Sequence, residues 1–417
     1  MKVLNVIGNK ILTGNIRISG AKNSAVAIIP ATLLGTGTYT LCNVPSILDI
    51  DALEETLKYL DVDVSRASES MVIKTDKIDN KPIPCELSSK LRASYYFMAV
   101  LLARFHYVEM CFPGGCSIGK RPIDQTLKAF KAYGAEVIEE EEKFIIKADK
   151  LTGANIELDM PSVGATVNSI LVGVLAKGKT VIKNAAKEPE IEDLCIMLKK
   201  MGAKIKGYGT DIIEITGVKE LKDCNHDIIP DRIEAGTYTI LGALIGNNLK
   251  IDNIIPKHLE SLTNILKEMG SDIEIFNDYL IINKVKKLKP FNIKTDYYPG
   301  FPTDLQQPIT TLLTQCDGIS TIEENIWENR FMNVPYLNMM GSNIKIDGKT
   351  CIVEGKTKLT GCEVVATDLR AGACLLIASL IAEGETTIKE IKHLLRGYEE
   401  IVEKLTNVGA KIEIKEI

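Results

Sequence analysis

The run Pro113-Gly114-Gly115-Cys116-Ser117-Ile118-Gly119-Lys120-Arg121-Pro122 holds the residue types best suited to chemistry in this chain. Its glycines permit positive φ and a close approach to a ligand, and they display one thiol beside two cations. Charge at Lys120 and Arg121 favours the thiolate, whereas a structural cysteine normally sits in an apolar run and is inert. The plain alternative is a surface turn with an incidental cysteine, against which the adjoining Lys-Arg-Pro weighs. A second group of cations stands at expected helix starts. Ser19-Gly20-Ala21-Lys22-Asn23-Ser24 reads as a glycine turn opening a helix, aiming backbone N–H groups, Lys22 and Asn23 at an anion. Arg92, Asp368 with Arg370, and Arg396 with Gly397 occupy similar places. Each alone is explained by a cap or a weak surface ion pair. Their recurrence at equivalent ends of a repeat points to a shared anionic ligand.

The elements that must position these groups form that repeat. A helix end, a stop residue and a strand alternating apolar and charged residues recur as LKYLDVDVS from Leu57, FKAYGAEVI from Phe130, LKKMGAKIK from Leu198, LKEMGSDIE from Leu266, LNMMGSNIK from Leu337 and LTNVGAKIE from Leu405. The stops are Asp61, Gly134, Gly202, Gly270, Gly341 and Gly409, at intervals between 68 and 73 residues. Each repeat also carries a more apolar helix, starting near Lys22, Leu91, Val163, Ile233, Leu305 and Leu369. Helices apolar nearly all round belong in a core, and the amphipathic set lies over it. The expectation is an α/β (α+β) protein of six units in two domains of three, residues 22–229 and residues 1–21 with 230–417. The strands within residues 1–20 should complete the last unit. The chain would then cross between domains near Gly20 and Pro230, a hinge framing a cleft.

Composition agrees. A chain of 417 residues exceeds one ordinary core, and 45% hydrophobic with 25% charged residues is a globular balance. A net charge of −5 offers no basic field for nucleic acid. The start of the chain is too short and polar for a signal peptide, and no apolar run reaches the roughly 18 residues of a membrane span, so a cytoplasmic protein without a membrane partner is expected. Ten cysteines without a C-x-x-C pair, and four histidines, signal neither a zinc site nor a disulfide framework.

The strings GAKNSA, PGGCSIGKRPID, SVGATVN, NAAKEPEIEDL, GFPTDLQ, WENRFM, ATDLRAGA and HLLRGYE occur in this order from Gly20 to Glu399. Together they resemble the UDP-N-acetylglucosamine 1-carboxyvinyltransferases, the enolpyruvyl transferases that open peptidoglycan synthesis. The resemblance implies an inside-out α/β barrel of βαβαββ-type units, three per domain. It also implies transfer of the enolpyruvyl group of phosphoenolpyruvate to the 3′-hydroxyl of UDP-N-acetylglucosamine, with release of phosphate by addition and elimination. The residue matching the family's proton donor is Cys116, and that matching the base for the sugar hydroxyl is Asp304. Lys22, Arg121 and Arg396 match the cations of the phosphoenolpyruvate site, where arginine's planar fork suits phosphate and carboxylate. Asp368 and Arg370 match residues lining the same cleft, Asp368 within the catalytic set, and Asn23 stands beside Lys22. Arg92, Arg121, Pro122, Ile123, Asp124, Gln125, Ser162, Val163, Gly164 and Ile326 match positions that contact the nucleotide sugar. No metal and no organic cofactor is implied, and a monomer is expected.

Three positions depart from the family pattern: Thr126 stands for a common histidine, Met160 for a frequent lysine, and Leu395 for a frequent aspartate before Arg396. Two rivals remain. A transferase acting on shikimate 3-phosphate shares the fold but lacks the Pro-Gly-Gly-Cys loop. A non-catalytic binder of a nucleotide sugar would be expected to have lost Cys116, Asp304 or a phosphate cation.

Overall fold

The computed structural model describes residues 2–114 and 123–416. Cys116, Arg121 and Pro122 lie outside the described residues. Among the described residues the repeat appears as six small sheets of one plan. In each, a strand runs parallel to a short neighbour on one side and, on the other, antiparallel to a strand that itself pairs antiparallel with an outer strand. Thr38–Cys42, for example, lies between parallel Asn225–Asp227 and antiparallel Ser70–Lys74, which pairs onward with Asp63–Ala67. Lys179–Lys183 and Gly318–Glu323 repeat the arrangement. At Tyr107–Cys111 the parallel neighbour is reduced to the bridge between Ile83 and Met110. Strand alternation puts Tyr39 and Leu41 inward and leaves Thr38 in solvent.

All six helix-stop residues take the left-handed conformation that ends a helix: Gly134, Gly202, Gly270, Gly341 and Gly409 at φ 91° to 105°, and Asp61 at φ 59°. Asp61 fills the glycine position because a short polar side chain tolerates that region.

The more apolar helices, Lys22–Ala31, Tyr96–Phe105, Val163–Gly173, Arg232–Ile245, Gln306–Leu313 and Leu369–Ile381, are almost wholly buried. Apolar side chains form two separate cores. The chain accordingly makes two compact mixed α/β units, one from Gly20 through Ile229, the other from the residues up to Ser19 together with Pro230 onwards. No helix among the described residues is long and apolar enough to cross a membrane.

Two expectations need correction. The N-terminal strands do not both complete the last sheet. Lys2–Ile7 does, between Glu385–Lys389 and Lys411–Glu416, but Leu12–Arg17 pairs in parallel with Gly246–Asp252. That short strand supplies the parallel neighbour which the sheet following Arg232–Ile245 otherwise lacks. The cysteine pattern signals no disulfide, yet Cys85 and Cys111 are joined by one, their Cα atoms 5.0 Å apart. They meet because Ile83 pairs with the strand Tyr107–Cys111, a tertiary event that cysteine spacing does not encode.

Candidate active site

Asp304 sits in the single turn Thr303–Leu305 that opens the buried helix Gln306–Leu313. Its carboxylate is gripped by two guanidiniums, Arg330 Nη2 on Oδ1 and Arg370 Nη2 on Oδ2 at 2.9 Å. The arginine side chains are 2% and 6% exposed but that of Asp304 is 29%, so the carboxylate is held from beneath and open above. Burial by itself would pull the Arg370 guanidinium down; Asp304, Tyr398 and Asp231 outweigh it and push it up. Arg330 Nε donates to Thr303 Oγ1 at 3.3 Å, and Thr303 donates to Glu324 Oε2 at 2.9 Å. The other Glu324 oxygen accepts the backbone N–H groups of Ile326 and Trp327. This shell fixes Asp304 from both sides and orders the backbone at Ile326.

Asp368 caps the helix Leu369–Ile381: its Oδ1 accepts from Arg370 N at 2.8 Å and Ala371 N at 3.1 Å. The cap aims Arg370 at Asp304, so Asp368 orients one of the two groups that hold that carboxylate. Arg396 follows the turn Lys392–Leu395 and is half-buried, as is Leu395. Gly397 lets that turn pack against Leu369, whose Cδ2 would lie 2.7 Å from an added Cβ.

In the unit from Gly20 to Ile229, Lys22 opens the helix Lys22–Ala31, which has no side-chain cap. Lys22 Nζ lies 2.8 Å from the buried carboxylate of Asp49. Ser24 Oγ donates to Asp193, whose other oxygen takes His226 Nε2 at 2.8 Å, and Asp193 also accepts from Ile229 N at 3.3 Å. This buried carboxylate pins the helix start that carries Lys22 and Asn23. Arg92 lies over the Tyr95 ring, 5.8 Å from its centroid, and donates to Pro113 O at 3.5 Å. Burial pulls its guanidinium below the usual range. An atom at the missing Gly164 Cβ would come within 1.8 Å of Tyr95 Oη, so only glycine admits this packing. Ser162 caps the helix Val163–Gly173 by accepting from Ala165 N. Ile123 precedes the helix Asp124–Ala132, and Asp124 faces solvent. Gln125 Oε1 accepts Asp159 N at 2.8 Å and thereby holds the loop that leads to Ser162. Thr126 is buried and Met160 exposed.

The structure thus gathers Asp304, Asp368 and Arg370 in one unit, with Ile326 attached through Glu324, and links Arg92, Gly164, Ser162 and Gln125 through Tyr95 and the 159–162 loop in the other. Sequence reasoning missed Arg330 as a holder of Asp304, though it lies within the WENRFM string. It also missed Asp193 and His226. An aspartate inside an otherwise apolar helical face was the available sign at Asp193.

The EPSP synthase (3-phosphoshikimate 1-carboxyvinyltransferase) family model matches residues 6–405. The UDP-N-acetylglucosamine 1-carboxyvinyltransferase 2 of Bacillus subtilis (strain 168) is 50% identical over 413 residues, covering 99% of this chain and 96% of that protein. The UDP-N-acetylglucosamine 1-carboxyvinyltransferase of Clostridium botulinum (strain ATCC 19397 / Type A) is 50% identical over 414 residues, covering 99% of each. Among solved structures, the enolpyruvyl transferase NikO from Streptomyces tendae superposes with a TM-score of 0.91 at 26% identity over 99% of each chain. The chain belongs to the EPSP synthase family.

Proposed function

We propose that the protein transfers the enolpyruvyl group of phosphoenolpyruvate to the 3′-hydroxyl of UDP-N-acetylglucosamine and releases phosphate, the first committed step of peptidoglycan synthesis. Half-identity over nearly the whole length with relatives bearing that name carries the reading. The sequence supports it further by keeping both Cys116 and Asp304.

In the addition step Cys116 gives a proton to the methylene carbon while Asp304 takes the proton of the sugar hydroxyl that attacks the neighbouring carbon. Elimination removes a proton from the new methyl group and expels phosphate, restoring the double bond. Each Asp304 oxygen accepts from one guanidinium, which fixes the carboxylate's orientation toward the hydroxyl. Lys22, Arg121 and Arg396 supply positive charge to phosphoenolpyruvate, with Asn23 beside Lys22. Arg92, Arg121, Pro122, Ile123, Asp124, Gln125, Ser162, Val163, Gly164 and Ile326 serve the nucleotide sugar. The charge that builds on the leaving phosphate is met by these cations, so the reaction asks for no metal. The six sheets with their buried helices are read as an inside-out barrel of three units per domain, and the chain as a cytoplasmic monomer.

A small epoxide bearing a phosphonate combines an anion with an electrophilic carbon. It should alkylate Cys116 alone among the ten cysteines, and faster with UDP-N-acetylglucosamine present. Labelling spread over several cysteines, or indifferent to the nucleotide sugar, removes Cys116 from this role.

A further inference from the structure

Seven of the cysteines among the described residues are free, and four of them, Cys195, Cys316, Cys351 and Cys374, are buried. Burial pushes the thiols of Cys316, Cys351 and Cys374 up to about 12, leaving them inert at neutral pH. Cys85 and Cys111 differ from all seven in being joined to each other, and from the four buried ones in being half-buried.

Their position gives the pair its interest. Cys85 begins the turn Cys85–Ser88, and Cys111 ends the strand Tyr107–Cys111. The residues after Cys111 lean on those after Cys85. Ser88 Oγ donates to Phe112 O at 3.4 Å, Gly114 N donates to Ser88 O at 3.1 Å, and Arg92 reaches Pro113 O. Gly114 is so close to Ser89 O that an added Cβ would lie 1.8 Å away. The disulfide is the covalent tie between these two segments, and the chain continues from Gly114 directly into the run that contains Cys116.

We propose that Cys85 and Cys111 are a reversible oxidation site whose reactant is a low-molecular-weight disulfide such as glutathione disulfide, and that its state sets how firmly residues 112–114 are anchored. One cysteine thiolate attacks a sulfur of glutathione disulfide, forming a mixed disulfide and expelling one glutathione thiolate. The second cysteine thiolate attacks the protein sulfur of that mixed disulfide and expels the other. Two cysteine thiols are oxidised to one disulfide, glutathione disulfide is reduced to two glutathiones, and the two protons pass to the departing thiolates. A disulfide closing 26 residues stabilises the fold by restricting the unfolded chain, and reduction gives that up and leaves residues 112–114 anchored by hydrogen bonds alone, without the covalent tie.

The test equilibrates the full chain in glutathione buffers of graded ratio, traps free thiols with iodoacetamide and maps the peptides. Thermal midpoint and the KM for UDP-N-acetylglucosamine are read on the same samples. The KM arm rests on the proposed transferase activity; the mapping and melting arms do not, so the two ideas can fail separately. The expected result is a single two-electron transition confined to Cys85 and Cys111. The reduced protein should melt roughly 5–10 °C lower. Its KM should rise on the order of threefold, because Arg92 loses a fixed Pro113. A Cys85→Ser/Cys111→Ser chain should hold the reduced values at every ratio. If it does not fold, Cys85→Ala/Cys111→Val carries the same comparison. A pair alkylated at every ratio, or linked at every ratio, overturns the proposal, as does a double variant whose KM still follows the buffer.

Discussion

Around Asp304, in the unit formed by the N-terminal strands and the residues from Pro230 onwards, charge is matched at close range within buried surroundings. Two guanidiniums hold one carboxylate, Asp368 orients one of them, and Thr303 and Glu324 brace the other. In the unit from Gly20 to Ile229, Arg92 lies over an aromatic ring and reaches a backbone carbonyl. The shifts of the two arginines point in opposite directions: burial pulls Arg92 down, while Asp304 and its neighbours push Arg370 up. A guanidinium locked to a carboxylate is a fixed brace, suited to orienting a proton acceptor. A desolvated guanidinium whose balance burial dominates gains from the arrival of an anion. In the proposed function, the unit from Gly20 to Ile229 would serve the diphosphate and the unit that holds Asp304 would serve proton transfer.

The sharpest break of this comparison is Asp304→Ala, which should lower kcat by about 10²- to 10⁴-fold while leaving nucleotide-sugar affinity within a few fold. Calorimetry beside steady-state rates measures both, and an equal loss in both would make Asp304 a binding residue. Arg330→Met keeps most of the buried volume but removes one of the two braces. It should cost about 3 kcal/mol of stability, read by urea unfolding, and lower kcat more than it raises KM. In the other unit, Gly164→Ala drives a methyl group into Tyr95 and should weaken UDP-N-acetylglucosamine binding about 10- to 100-fold with kcat at saturation nearly kept. If it lowered kcat alone, the assignment of binding to this unit would fail.

An effect outside both sites concerns Glu234, buried beside Lys404 at 2.7 Å and accepting from Ser19 N at 2.9 Å. Burial raises its pKa to about 7, against the opposing pull of Lys404. In the unfolded chain the group ionises in the ordinary carboxylate range, so the folded protein holds the proton more tightly. The resulting stabilisation is full below that range and is lost as pH rises through about 7, up to about 3 kcal/mol. Thermal unfolding from pH 5 to 8 should therefore decline more steeply in the natural chain than in Glu234→Gln. Parallel profiles would show that Lys404 keeps Glu234 ionised throughout.

Much of the fold was legible because it is written six times. Stop residues at near-constant spacing and helices of small apolar residues follow directly from local chemistry, and even Asp61 fits its glycine-like place. The strand Leu12–Arg17 was misassigned because its pairing with Gly246–Asp252 spans more than 200 residues and no local pattern distinguishes the two candidate sheets. The same reason hid the Cys85–Cys111 link. At the site, Lys22, Arg92 and Arg370 were visible as cations at helix starts. The role of Arg330 was not, because its value comes from facing Asp304 across a tertiary contact. At Asp368, which the resemblance places within the catalytic set, the structure adds a helix cap that orients Arg370.

The central claim concerns the acceptor, since the family model that matches the chain takes its name from a transferase acting on shikimate 3-phosphate. Phosphate release from phosphoenolpyruvate, followed with each acceptor in turn and with the product weighed by mass spectrometry, tests it most directly. The account predicts release with UDP-N-acetylglucosamine, one phosphate for each nucleotide sugar that gains an enolpyruvyl group, and none above background with shikimate 3-phosphate. Release with shikimate 3-phosphate, or none with the nucleotide sugar, would contradict it.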